Sequence, residues 1–98
     1  MKAYKHLVKY ALGLGHTVSV DDGDYDDMPV VNSQGYKEII DAIESVDISN
    51  IYITAANGEK LGTAFIVLEF NQEDEESVCD YSVTPFMDSW DREYMIAN

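Results

Sequence analysis

The chain has 98 residues, 46% of them hydrophobic and 26% charged, and its 19 acids against 6 basic residues give a formal net charge of −13. That length suits one domain with one core, and the apolar fraction separates it from chains kept disordered by low hydropathy and high charge. The negative charge argues against direct binding to nucleic-acid phosphates or to an anionic membrane, and makes a basic protein surface the natural partner.

In chain order, Tyr4, Leu7, Val8, Ala11 and Leu12 recur at i, i+3, i+4, i+7 and i+8 and predict a helix with one apolar stripe. Lys2, Lys5, His6 and Lys9 lie opposite that stripe, and Gly13 or Gly15 ends the helix. Thr17-Val-Ser-Val20 alternates as a half-buried strand does. Five aspartates follow between Asp21 and Asp27, and after Pro29 the pair Val30 and Val31 adds a short extended piece. Asn32 or Ser33 is the expected cap of a second helix, in which Tyr36, Ile39, Ile40, Ile43 and Val46 face inward.

Ile51 to Thr54, the pair Asn57-Gly58, and Leu61 to Phe70 read as a β-hairpin closed by a two-residue type I′ turn. That register puts Ile51, Ile53 and Ala55 on one face with Gly62, Ala64, Ile66 and Leu68. The other face then carries Tyr52, Leu61, Phe65 and Val67, apolar enough to call for a cover, either the C-terminal segment or a second copy of the chain. A second acidic connection, Asn71 to Glu76, leads to a strand over Val78 to Val83. Thr84 and Pro85 fit the N-cap and first position of a last helix with Phe86, Met87, Trp90 and Tyr94 on one side. The expected fold is a single α+β domain over residues 1–98. It has a small, mostly antiparallel sheet of three to four strands, two or three helices packed on it, and the order α-β-α-β-β-β-α.

No catalytic motif emerges. Asp22-x-Asp24-x-Asp26 has the opening spacing of an EF-hand loop, but Asp27 stands where glycine is needed at the sixth position and Ser33 where glutamate is needed at the twelfth. No specific metal site or cofactor is expected. His6 and His16 belong to no ligand pair; His6 reads as a solvated helix-face residue and His16 as a capping one. Cys79 has no partner cysteine, which favours a reducing cytoplasm, and it reads as a small core residue because nearby acids suppress its thiolate. No apolar run spans a bilayer, and Lys5 and Lys9 interrupt any signal-peptide core. Phe86, Trp90 and Tyr94 read as core first, and second as an interface patch rimmed by Asp88, Asp91 and Glu93.

From Gly15 onward the chain resembles small uncharacterised acidic accessory proteins of tailed bacteriophages. The resemblance lies in Gly15-His-Thr-Val-Ser-Val-Asp-Asp-Gly23, in Tyr36-Lys-Glu-Ile-Ile-Asp-Ala-Ile-Glu-Ser-Val46, in Lys60-Leu-Gly-Thr-Ala-Phe-Ile-Val67 and in the segment from Asp74 to Trp90. It brings no catalytic residues with it. It implies a non-enzymatic product acting in the cytoplasm of an infected bacterium, where small acidic proteins often block host nucleic-acid enzymes by mimicking DNA.

The expectation is therefore a binding protein whose acidic surface engages a basic host protein. Asp21, Asp22, Asp24, Asp26, Asp27, Glu73, Asp74, Glu75 and Glu76 supply the field, and Tyr25 and Trp90 the apolar contact. Duplex DNA carries about one charge per 1.7 Å of axis, so nine such acids match roughly 15 Å of duplex. The alternative is a homodimer formed through Tyr52, Leu61, Phe65 and Val67, and a weak divalent-cation-binding protein ranks behind it.

Overall fold

A computed structural model describes residues 2–23, 28–68 and 78–97. Along the chain come α1 (Ala3–Gly13), β1 (Thr17–Asp21), β2 (Val30–Ser33), α2 (Tyr36–Glu44), β3 (Ile48–Thr54), β4 (Lys60–Val67), β5 (Val78–Tyr81) and α3 (Pro85–Ala97). The five strands form one sheet in the order β2-β1-β3-β4-β5, each antiparallel to its neighbours. The α+β class and antiparallel sheet are as expected, but the sheet has five strands rather than three to four. The difference is β2, whose four residues are too few to display alternation and which takes its place by pairing with β1 at the sheet edge.

Helix boundaries follow local chemistry. The N–H of Gly15 donates to the Leu12 carbonyl (3.0 Å) and that of His16 to the Ala11 carbonyl (3.1 Å), with Gly15 at φ 84°. This is a Schellman ending, which places a residue without Cβ in the left-handed region. α2 starts after Gly35 rather than after Asn32 or Ser33; the Ser33 hydroxyl instead accepts the Gly35 N–H at 2.9 Å. Asn32 is in β2 at φ 48°, and its N–H donates to Ser19 Oγ at 2.8 Å, closing a bulge between β1 and β2. Thr84 caps α3 as expected: its Oγ1 accepts the Met87 N–H at 3.2 Å and donates to the Leu61 carbonyl at 2.7 Å.

The β3–β4 hairpin reaches the expected register by an unexpected route. Ala55 N–H donates to the Glu59 carbonyl (2.8 Å) and Gly58 N–H to the Ala55 carbonyl (2.9 Å), and Gly58 alone in the turn has positive φ. The loop therefore has three residues, Ala56 to Gly58, in place of the two-residue type I′ turn. By itself it pairs Thr54 with Lys60, but an irregularity at Leu61 shifts the ladder by one, so that Ile53 faces Gly62 and Ile51 faces Ala64.

That alternation turns Val18, Val20, Ile51, Ile53, Ala64 and Ile66 to one face, where they share a single core cluster with Leu7, Val8, Ile39, Ile43, Met87, Trp90 and Tyr94 from the three helices. Rather than covering the opposite face, α3 joins α1 and α2. The Trp90 indole N–H donates to His6 Nδ1 at 3.1 Å, Tyr10 and Ser89 share a hydroxyl hydrogen bond of 2.6 Å, and the Trp90 ring meets Tyr81 edge-on. Met87 lies directly on β4: a Cβ added at Gly62 would stand 2.6 Å from Met87 Cγ and 2.7 Å from its sulfur. At Ser49, opposite Ile66, the buried hydroxyl has no hydrogen-bond partner among the described residues.

Two stability measurements check this packing. Gly62→Ala is expected to cost about 1–3 kcal/mol by overpacking and to cost clearly less in a Met87→Ala background, where the added methyl has room. Additive effects in chemical denaturation would show that the two residues do not compete for the same space. Ser49→Ala should stabilise the fold by about 1 kcal/mol, because it removes a desolvated, unpaired hydroxyl; a loss of stability would reveal a partner for that oxygen.

Candidate functional site

With all three helices on one side, no described helix covers the other face of the sheet. Cross-strand pairing sets side chains there in rows. Ser19, Tyr52 and Thr63 form one, and Asp21, Asn50, Phe65 and Asp80 form the next. Ser82 continues the first row: its N–H donates to the Thr63 carbonyl (2.9 Å) and its Oγ accepts the Thr63 N–H (3.0 Å). The Tyr52 hydroxyl donates to Asp21 Oδ2 at 3.3 Å, and Asp21 Oδ1 accepts the Gly23 N–H at 2.9 Å.

Two hollows adjoin on this face. One, of about 570 Å³, is bordered by hydroxyls of Ser19, Tyr52, Thr54, Thr63 and Ser82, with Lys60 at its margin. The other, of about 530 Å³, is bordered by Asn50, Thr63, Phe65, Asp80 and Ser82. The Asp80 carboxylate accepts the Tyr81 N–H at 2.9 Å, and no described basic side chain is paired with it.

Of the expected acidic site, Asp21 and Asp22 are described; Asp24, Tyr25, Asp26, Asp27, Glu73, Asp74, Glu75 and Glu76 lie outside the described residues. The topology nonetheless relates the two connections. β1 and β4 are both antiparallel to β3, so they run the same way, and Asp21 at the end of β1 and Val67 at the end of β4 lie at one end of the sheet. The turn from α2 into β3 is there too, with the Asp47 carbonyl accepting the Leu68 N–H at 2.8 Å.

Charge is partitioned between the layers. Lys5, Lys9, Lys37 and Arg92 are in the described helices and Lys2 caps one, and these helices hold six of the 19 acids. The described helices with this cap thus carry net −1, and the residues of the sequence outside them, with Lys60 as their one base, carry −12. Lys37 pairs with Asp41 (2.7 Å) and Lys5 with Glu44 (3.6 Å), so these bases are turned to acids of their own layer.

Several residues sit where the sequence did not place them. Trp90 is 2% exposed, its ring stacked with Tyr94 and its N–H bonded to His6; it is a core residue and presents no surface to a partner. His6 is accordingly half-buried and joined to α3 rather than solvated. Of the four residues expected to form an apolar outer patch, Leu61 packs against the core cluster because of the bulge. Tyr52, Phe65 and Val67 lie on the open face by the ladder, the first two half-buried and Val67 8% exposed. Cys79 is exposed on edge strand β5, not in the core. Asn50, Thr63 and Ser82 were not singled out, although the hairpin register already put Asn50 and Phe65 on a common face. Among the described residues, no cluster of three His, Cys, Asp or Glu side chains could hold a metal ion, and no helix is long and apolar enough to cross a membrane.

Partial burial, and then the carboxylate of Asp21, raises the pKa of Tyr52; burial followed by Asp91 raises that of Tyr81. A raised folded pKa means that the native state holds the phenol proton more tightly than the unfolded chain does. The contribution of these two tyrosines to stability is therefore fully present below the ordinary phenol pKa of about 10 and is lost as pH rises beyond it. Tyr52→Phe and Tyr81→Phe should each reduce that alkaline loss in denaturation experiments; an unchanged slope in both would contradict these environments.

Comparison with protein-family models, with curated proteins and with solved structures finds no match. The reading of this face rests on its own chemistry.

Proposed function

We propose that the protein is a non-enzymatic binding protein whose acidic sheet end engages a basic surface on another protein. The observation that carries this reading is the charge partition: net −12 outside the described helices, with the strands that lead toward both acidic connections ending on the same side. A one-signed field at one end of a molecule accelerates encounter with the opposite sign and repels phosphate backbones. On the resemblance to phage accessory proteins, the partner is a bacterial protein that uses a basic surface for nucleic acid, and occupation of that surface inhibits it.

The test is capture of partners from a bacterial lysate on the wild-type protein and on a variant with Asp21, Asp22, Asp24, Asp26 and Asp27 changed to asparagine. The expected result is a basic protein that duplex DNA displaces, whose affinity falls about tenfold or more from low to physiological salt, and which the variant binds at a rate reduced by about tenfold. Retention that is indifferent to salt and to the five substitutions would overturn the reading.

A further inference from the structure

The second hollow on the open face has a composition that the acidic field alone does not explain. Phe65 lies at its centre with Asn50 opposite on β3 and Asp80 opposite on β5. Direct cross-strand neighbours hold their Cβ atoms about 4.5–5.5 Å apart, so an aromatic ring, a carboxamide and a carboxylate meet within the reach of one planar group. The ring is half-buried, and none of the described helices packs on it. The carboxylate accepts one backbone N–H and has no described basic partner.

A guanidinium matches each of these features. It is planar and weakly hydrated, stacks on an aromatic face, and offers forked N–H donors to a carboxylate and to an amide oxygen. A lysine ammonium is a point charge that gains from the field but little from the ring or the fork. Lys60, the sole base among the strands, borders the other hollow and leaves this one acidic.

We propose that the hollow formed by Asn50, Phe65 and Asp80 receives an arginine side chain of the basic partner, with the guanidinium stacked on Phe65 and hydrogen-bonded to Asp80 and to the Asn50 side-chain oxygen. The proposal rests on the binding function above and adds a side-chain preference to it. The acidic end attracts any basic surface; the hollow selects arginine over lysine.

Binding of two peptides of equal length and charge, one carrying only arginine as its basic residue and the other only lysine, is measured by calorimetry on the full chain at low salt. The expected result is that the arginine peptide binds about three- to fivefold more tightly. Phe65→Leu, which keeps the apolar volume, and Asp80→Asn, at an exposed position, should each abolish most of that preference while the lysine peptide binds nearly as before. Equal affinities, or a preference that survives both substitutions, would overturn the arginine site and leave the field-driven binding function standing. Failure of both peptides to bind the wild-type chain would overturn that function and this site with it.

Discussion

The register between β3 and β4 is the constraint on which the rest of the molecule depends. A slip of one residue would turn one strand over against the other, sending either Ile51 and Ile53 or Ala64 and Ile66 to the open face and bringing Asn50 and Tyr52, or Phe65, against the helices. The three-residue loop closed by Gly58 sets the ladder in that slipped pairing at Thr54 and Lys60, and the irregularity at Leu61 corrects it before the first core pair. The same residue positions the last helix. Its carbonyl takes the Thr84 hydroxyl hydrogen bond, and that N-cap aims α3 so that Met87 reaches the Cβ-free surface of Gly62. Trp90 and Tyr94 follow one and two turns later and close against His6 on α1. Turn, bulge, cap and helix docking are thus successive consequences of one pairing.

A sheet with helices on one side must make its other face tolerable to water. Here the solution is compositional. Ser19, Asp21, Asn50, Thr63, Asp80 and Ser82 alternate with the core residues, and Ile48, Tyr52, Phe65 and Val67 stand among them on the same face. Leu61, which simple alternation assigns to that face, is turned toward the core by the bulge. The device that restores the register therefore also takes one apolar side chain off the open face. The two rings left behind stand beside carboxylates, a setting that suits contact with cations better than contact with another apolar face.

What the sequence revealed follows the strength of each local signal. The stripes Tyr4-Leu7-Val8-Ala11 and Ile39-Ile40-Ile43 and the Thr84-Pro85 cap belong to one segment each, and the structure has them as read. The face assignment of Ile51, Ile53, Ala64 and Ile66 was legible although the turn was not, because hydrophobic alternation constrains register more strongly than turn chemistry does. β2 escaped because its pairing is tertiary: Asn32 in the left-handed region and the Ser19 hydroxyl make the bulge, and neither announces a strand. Trp90 reads as core first and as a contact residue second, because a helix with aromatics on one side and acids between them reads alike whether it packs on a sheet or on a partner. The structure has it in the core. Only the position of His6, 84 residues away in sequence, decides it. The row Asp21-Asn50-Phe65-Asp80 spans four strands, and no local pattern could have assembled it.

The distribution of charge carries the functional argument further than its total does. A net charge of −13 imposes self-repulsion wherever it is placed, and interspersing the six bases among the acidic connections would relieve it without touching the core. Instead Lys5 and Lys37 are engaged by Glu44 and Asp41 within the helical layer, and Lys60 is the one base in the strands. The bases are present but withheld from the end of the sheet where β1 and β4 lead into the acidic connections. Such an arrangement leaves a field that a basic surface from outside can neutralise. Because exposed charges interact mainly within a Debye length of about 10 Å, that surface must approach closely to do so. Close approach brings it onto the adjoining open face, where the ring of Phe65 and the carboxylate of Asp80 can distinguish one kind of positive charge from another.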